Sequence, residues 1–398
     1  MDLVLPGGSS YCCVQKPSRM ERGIIVGSLS TVVRAGLSAG LLTLTMVVAA
    51  CVPGPSEPPP SAESVQFTAQ GDIGLGAEAG KVLEVIAGLN PQLNLALGDF
   101  SYKAGREGEF CDMVTGKLGA DFPYQLITGN HESNGEQGDI DNFARCLPNR
   151  LPGVEGEYGQ QWRVDVPEEH PVVRFIMVSP GIEFKDGRPL DYARGSERWR
   201  WTEEAIDQAR SQGIPWTVVG MHAPCFSMGK KRCESGKDFT NMLIDKKVDL
   251  VLSAHEHAYQ RSHQVELGDS CPELVPGEFS APCLSDTDDS MVQGGGTVFV
   301  TVGVGGVGLY DVKNDDPEAG YFSTWSGRNQ DPALGTLDVR VSEEQITARF
   351  VPAEGYKFTD SFVLQRRKTV DPTYHGVVLE NIPGVPGQVC PRCDSGTP

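Results

Sequence analysis

Histidine is scarce in this chain: seven residues in 398. Cationic side chains are outnumbered, 34 Lys and Arg against 53 Asp and Glu, for a formal net charge of −19. So acidic a chain lacks the basic face that sequence-independent nucleic-acid binding requires, and the polybasic patch that holds a protein to anionic lipid. Its overall field repels anions, so an anionic substrate has to be held by a local positive centre. No tandem repeat is present. The glycine-rich stretch VGVGGVG at 302–308 has no lysine of the kind a phosphate-cradling P-loop carries, and reads as a tight loop at a strand end.

The N-terminal region has a different texture. Arg19, Arg22 and Arg34 precede AGLSAGLLTLTMVVAA, sixteen uncharged residues that end in small ones. A basic segment, an apolar segment and a small-residue end have the form of an export signal, and the run is short for a membrane span. Met20 is an alternative start that gives a signal of ordinary length. Cys51 follows directly, and VAAC resembles the lipobox of bacterial lipoproteins, whose cysteine is lipidated. The expected organisation is a lipoprotein-type signal at 1–50, a Pro/Ser-rich linker at 51–64, a folded domain at 65–368 and a Pro/Gly-rich tail at 369–398. The expected location is the outer face of the cell membrane, held only by the lipid anchor, or secreted if Cys51 is not lipidated. Beyond Cys51 lie Cys111, Cys146, Cys225, Cys233, Cys271, Cys283, Cys390 and Cys393, an even set that suits disulfides in an exported chain. Sequence leaves the connectivity open; neighbour pairing is the working assumption. The CPRC of the tail is half a zinc site at most.

From Val65 onward, short apolar runs alternate with helical patterns. AEAGKVLEVIAGL places Val82, Val85, Ile86 and Leu89 at helical spacing, and NFARCL and FTNMLIDKK read as short helices. In SERWRWTEEAIDQARSQG, Ser196 is the expected cap, Trp199, Trp201, Ala205 and Ala209 the inner side, and Gly213 the stop. QWRVDV, VVRFIMVS, WTVVGMH and VDLVLSAHEH read as strands, and everything from about Thr297 reads as sheet. Strand–helix units followed by a strand-rich half predict an α/β fold of two sheets packed face to face with helices outside.

Metal-capable residues stand at the ends of those apolar runs. Asp72 ends the first (GDIG), Asp99 the second (GDFSY, with Tyr102 three residues on), and Asn130 and His131 the third (GNHE). His222 ends VVGMH, while His255 and His257, two apart and so on one face, end VLSAHEH. Ligands of open α/β sheets bind beyond the carboxyl ends of the strands, so these residues are expected to share one site.

The series GDIG, GDFSY, GNHE, VGMH, AHEH resembles the purple acid phosphatase branch of the calcineurin-like metallophosphoesterases, over residues 65 to about 367. The resemblance implies a four-layer αββα sandwich and two metal ions. Asp72, Tyr102 and His257 would hold one ion; Asn130, His222 and His255 would hold the other; Asp99 would bridge them, and His131 would face the substrate. Tyr102 points to ferric iron, with a divalent Fe, Zn or Mn ion as its partner. The implied reaction is hydrolysis of a phosphorylated small molecule, a phosphate monoester, by a metal-bound hydroxide. A phosphodiesterase or nucleotidase on the same metals, and a lipoprotein that binds metal or phosphate without turnover, are the alternatives.

This chain departs from the family pattern at two places. Ala254 stands where a glycine is usual, a change expected to affect packing alone. HAPCFSMGKKRCESGKDF offers no histidine between His222 and His255 for the leaving group. Protonation then falls to His131, steered by Glu132, or to solvent. Cys225 and Cys233 are candidates to close this loop by a disulfide. Lys230 and Lys231 read as a solvated loop, with charge neutralisation as the alternative. His263 is a candidate for the pocket rim, His170 for a surface turn, and His375 lies in the tail. Oligomeric state has no signal.

Overall fold

The computed structural model describes residues 64–367, apart from residue 186. The expected signal, Cys51, His375 and the CPRC cysteines lie outside the described residues. No helix among the described residues is long and apolar enough to cross a membrane.

In chain order the strands are β1 (Val65–Gln70), β2 (Leu93–Ala96), β3 (Tyr124–Leu126), β4 (Glu155–Glu157), β5 (Gln161–Val166), β6 (Val173–Met177), β7 (Trp216–Gly220), β8 (Leu250–Ser253) and β9 (Tyr259–Ser262). They continue with β10 (Gln264–Val265), β11 (Leu284–Asp286), β12 (Ser290–Val292), β13 (Val298–Val302), β14 (Phe322–Ser326), β15 (Gly335–Val341), β16 (Gln345–Pro352) and β17 (Asp360–Gln365). The helices are α1 (Ala77–Leu89), α2 (Glu107–Leu118), α3 (Ile140–Cys146), α4 (Glu197–Ser211) and α5 (Lys237–Asp245).

Two large mixed sheets form from these strands, and β10 and β11 pair antiparallel as a small ribbon of their own. One runs β12-β17-β16-β15-β1-β2-β3 and the other β14-β9-β13-β8-β7-β6-β5-β4. β1, β2 and β3 are mutually parallel, as are β6, β7, β8 and β13, so the residues after β1, β2 and β3, and those after β7 and β8, leave their sheets at one end. The inner faces of the two sheets share one core: Phe67 of β1 meets Phe175 of β6 edge-on at 4.9 Å, and Tyr259 of β9 meets Phe350 of β16 at 4.7 Å. Ala79, Val82, Leu83 and Ile86 of α1 close the outer side of the first sheet. Trp199, Ala205 and Ile206 of α4, with Phe239 and Leu243 of α5, pack on Ile176, Val219 and Val251 of the second. The architecture is therefore the four-layer αββα sandwich.

Local chemistry explains most of the elements. Ser196 accepts the Trp199 amide at 3.2 Å and caps α4, and Gly213 takes a left-handed φ of 75° just past its end. Trp201 corrects the expected inner face: it is half-buried at the core margin, while Thr202 and Ile206 are buried instead. Among the described residues, the strand-rich half contains one short 3-10 turn, Ala319–Tyr321, and no α-helix. Among the described residues, three disulfides join Cys111 to Cys146, Cys225 to Cys233 and Cys271 to Cys283, each the neighbour pairing.

A buried polar clamp fixes one sheet against the other. Arg261 of β9 pairs with Asp360 of β17 at 2.7 Å, the two side chains only 2% and 6% exposed. Tyr259 donates its hydroxyl to the same carboxylate at 2.7 Å. Arg261 has a second partner in the exposed Asp289 at 2.7 Å, so losing Asp360 leaves its buried charge answered only from the surface; breaking a buried pair typically costs about 3–5 kcal/mol. Asp360→Ala is therefore expected to lower unfolding stability by about 3 kcal/mol or more in a urea titration; a loss under about 1 kcal/mol would show that the clamp contributes little.

Candidate metal centre

Each expected residue sits in the first turn beyond a strand. Asp72 follows β1, Asp99 follows β2, Asn130 and His131 follow β3, His222 follows β7, and His255 and His257 follow β8. The turns are unusually constrained. Asp72, Asp99, Tyr102 and His255 hold φ angles of 58°, 59°, 55° and 65°, in the left-handed region that non-glycine residues avoid. Strained backbone of this kind persists where surrounding structure over-determines it, and it clusters at functional sites.

The side chains fall into two sets joined by Asp99. In the first, the Tyr102 hydroxyl lies 3.0 Å from Asp72 Oδ1 and 3.4 Å from His257 Nε2, and His257 Nε2 lies 3.3 Å from Asp72 Oδ1. In the second, His222 Nε2 lies 3.2 Å from Asn130 Oδ1 and 3.0 Å from His255 Nδ1. Asp99 Oδ2 reaches both, 3.3 Å from the Tyr102 hydroxyl and 3.2 Å from His222 Nε2. Asp72, Asp99 and His222 are almost wholly buried, and His255 and His257 nearly so.

The outer nitrogens of the three histidines show which way the inner ones face. His222 Nδ1 meets the Leu97 carbonyl at 2.7 Å, His257 Nδ1 the Gly308 carbonyl at 2.9 Å, and His255 Nε2 the Glu234 carboxylate at 2.7 Å. Carbonyls and carboxylates only accept, so each outer nitrogen carries the proton. In the neutral rings the inner nitrogens then present lone pairs to each other and to Asp99. Lone pairs 3.0–3.2 Å apart repel unless a proton or a cation lies between them. Asp99, His222 and His255 each offer a ligand atom, all within 4.8 Å of one another.

The titration behaviour has the same origin. Burial disfavours a charged His222, yet the adjoining Asp99 carboxylate overrides it and pushes the ring up to about 9. Burial likewise works against charge on His257, and Asp72 raises it. Burial alone would raise the Asp72 carboxyl, but its hydrogen bond to His257 and the charges of His257, His222 and His255 hold it well below the usual carboxylate range. Burial, then Asp72 and Asp99, push the Tyr102 phenol far up. Without a metal, the carboxylates draw protons onto His222 and His257, while burial holds His255 down. A bound cation supplies the same charge, leaves the rings as neutral ligands and stabilises a phenolate, so the donor set fits a metal.

Glu132 does not steer His131. Its buried carboxylate accepts the amides of Gly129 at 2.6 Å, Asp99 at 2.9 Å and Phe100 at 3.1 Å. Burial, and then the Asp99 charge, raise it to about 8. Gln137 is what meets His131, its Oε1 2.5 Å from Nδ1, while His131 Nε2 lies 3.6 Å from Asp99 Oδ2. His131 lines a cavity of about 420 Å³ with Asn130, His255, Lys231 and Glu234. The glycine loop after β13 packs under Asp72, Gly305 donating to the Gly71 carbonyl at 2.9 Å. Ala254 has a packing consequence: a Cβ on Gly71 would lie 2.5 Å from its methyl, so only glycine fits opposite. His263 is half-buried and does not line the cavity, and His170 is exposed.

Glu234 and Tyr310 were not anticipated. Tyr310 stacks on His257, centroids 4.0 Å apart and planes 9° from parallel, and nothing in its glycine-rich surroundings marks it. Glu234 adjoins Cys233, and only a disulfide-fixed loop folded back over the site would have drawn attention to it.

Known proteins resemble this chain in sequence and in fold. Residues 66–259 match the family model described as calcineurin-like phosphoesterase. The chain is similar to probable purple acid phosphatase 20 of Arabidopsis thaliana, 24% identical over 227 residues, 52% of this chain and 48% of that protein. It is similar to purple acid phosphatase 18 of the same plant, 25% identical over 221 residues, 54% of this chain and 48% of that protein. The chain thus spans about half the length of the curated relatives it matches. Among solved structures, a purple acid phosphatase from yellow lupin (Lupinus luteus) seeds superposes with a TM-score of 0.56 at 16% identity, covering 77% of this chain and 54% of that one. That likeness shows the fold.

Gly98 tests the tightness of the site. At φ 88°, an added Cβ would lie 2.5 Å from the Gly129 nitrogen and 2.7 Å from His222 Nδ1. Gly98→Ala is expected to lower stability by about 2 kcal/mol or more, read as a fall in melting temperature of several degrees. An unchanged melting curve would mean the turn has room that these distances deny.

Proposed function

We propose that this chain is a member of the purple acid phosphatase-like branch of the calcineurin-like phosphoesterases, which its similarities support, and an exported hydrolase of phosphate monoesters working with two metal ions. Asp99 carries the reading: one carboxylate oxygen within 3.3 Å of a donor in each half-site is the placement a bridging ligand needs. Asp72, Tyr102 and His257 would hold one ion with Asp99; Asn130, His222 and His255 would hold the other. The phenol of Tyr102 is a hard oxygen donor that suits ferric iron, and the N/O set of the second position accepts Fe, Zn or Mn. Bound there, two cations supply positive charge to a phosphoryl group and make a water nucleophilic near neutral pH.

The chain's own residues provide placement. His131, a quarter exposed and oriented by Gln137, is the group positioned to hold a proton for the departing oxygen. Glu132 and the Gly98 turn keep Asp99 from rotating away. Glu234, Leu97 and Gly308 fix the ring orientations, so little reorganisation is needed when substrate arrives. Amides and carboxylates from Asn134, Glu136, Gln137 and Glu183 line the rest of the cavity. Residues 65–368 would form the catalytic domain. The three disulfides support folding in an oxidising compartment, with lipid on Cys51 as the anchor.

The metal-loaded full chain is expected to hydrolyse an aryl phosphate monoester faster than a diester. Asp99→Ala should lose metal and at least about a hundredfold in kcat/KM, and Tyr102→Phe should lose a visible absorption band. A verified two-metal protein inert toward both esters would remove the enzyme assignment. Cys51→Ser is expected to abolish incorporation of labelled fatty acid in cells; retained label would remove the anchor.

A further inference from the structure

The loop between Cys225 and Cys233 is pinned from beneath by a residue of the last motif. Glu256, fully buried between His255 and His257 in sequence, accepts the amides of Lys230 and Lys231, each at 2.6 Å, and the Ser227 hydroxyl at 3.2 Å. A Cβ on Gly229 would fall 2.2 Å from that carboxyl carbon, so the backbone rests directly on it. The disulfide closes the loop from above. Both lysine amides are fixed against the floor of the site; the Lys230 side chain is exposed, as a solvated loop would have it, and Lys231 is half-buried.

The two side chains then diverge. Lys230 Nζ lies 4.6 Å over the Tyr310 ring, which itself stacks on His257. Lys231 is half-buried and lines the cavity beside Asn130, His131, Glu234 and His255. Among the described residues lining that cavity it is the one lysine or arginine, and no carboxylate pairs with its ammonium. An unpaired ammonium held on a pinned loop above a metal-capable floor, in a chain of net charge −19, is placed for an anion.

We propose that Lys231 binds a phosphoryl oxygen of the substrate, as a catalytic residue acting from the cavity wall it shares with Asn130, His131 and His255. The inference deepens the phosphoesterase reading and rests on it. A charge-assisted contact of this kind, worth about 1.5–3 kcal/mol, corresponds to roughly ten- to a hundredfold in affinity.

The test measures inorganic phosphate affinity of the metal-loaded full chain by calorimetry, beside monoester kcat/KM. Lys231→Met is expected to raise the phosphate Kd at least about tenfold and lower kcat/KM in parallel, with metal content and melting temperature unchanged. Lys231→Arg should recover most of the affinity. Should Lys231→Met fail to fold, Lys231→Gln carries the same comparison. A phosphate Kd for the neutral variant within about twofold of wild type, with hydrolysis intact in the wild type, overturns the role of Lys231 and leaves the enzyme reading standing. Lysine-dependent phosphate binding without hydrolysis does the reverse.

Discussion

Two turns on neighbouring strands hold each other by exchanging carboxylate-to-amide bonds, and the rest of the site depends on that exchange. Asp99, after β2, accepts the His131 amide at 3.0 Å. Glu132, after β3, accepts the amides of Asp99 and Phe100. Each carboxylate satisfies backbone donors that would otherwise be orphaned in a buried turn, and each turn fixes the other's side chain. The left-handed conformation at Asp99 becomes tolerable because three bonds specify it. One Asp99 oxygen is thereby committed to backbone, and the other is left facing Tyr102 and His222.

Charge is organised on two scales. The chain as a whole is acidic, and the centre of the site is more acidic still, with Asp72 and Asp99 buried side by side under a tyrosine. Burying carboxylates is costly unless cations or proton donors answer them. Histidine supplies part of that answer, and the scarce histidines are concentrated where it is needed. Carbonyl partners keep two of the three rings neutral-capable, and Glu234 does the same for the third with a full charge.

The residues of the site and the sheets that carry them were largely legible in the sequence, because both are written in strand ends. An apolar run followed by Gly-Asp, Gly-Asn-His or a histidine pair specifies where a chain leaves a parallel sheet and what it brings. The helices α1, α4 and α5 declared themselves through apolar spacing. α2 did not: EGEFCDMVTGKL buries Phe110, Cys111 and Val114 but carries glycines and charges that blur its period. The strands β10 to β12 are two or three residues long, below what alternation can reveal. Glu132 was assigned to the wrong partner because adjacency in sequence suggested His131, whereas its side chain turns back under the Asp99 turn. Glu234, Tyr310 and Glu256 act through loops that return from other parts of the chain, and no local pattern encodes a return.

The clamp of Tyr259 and Arg261 on Asp360 starts two residues beyond His257. Asp72 leaves one sheet and His257 the other, so the layers cannot shear without pulling donors apart. The floor of the pocket is for that reason a rigid casting, while its walls at 131–137, 181–183 and 231–234 are lengths of loop hung on that casting. Remodelling those walls would leave the sandwich untouched, so the outline of the pocket can change while the buried donors keep their places.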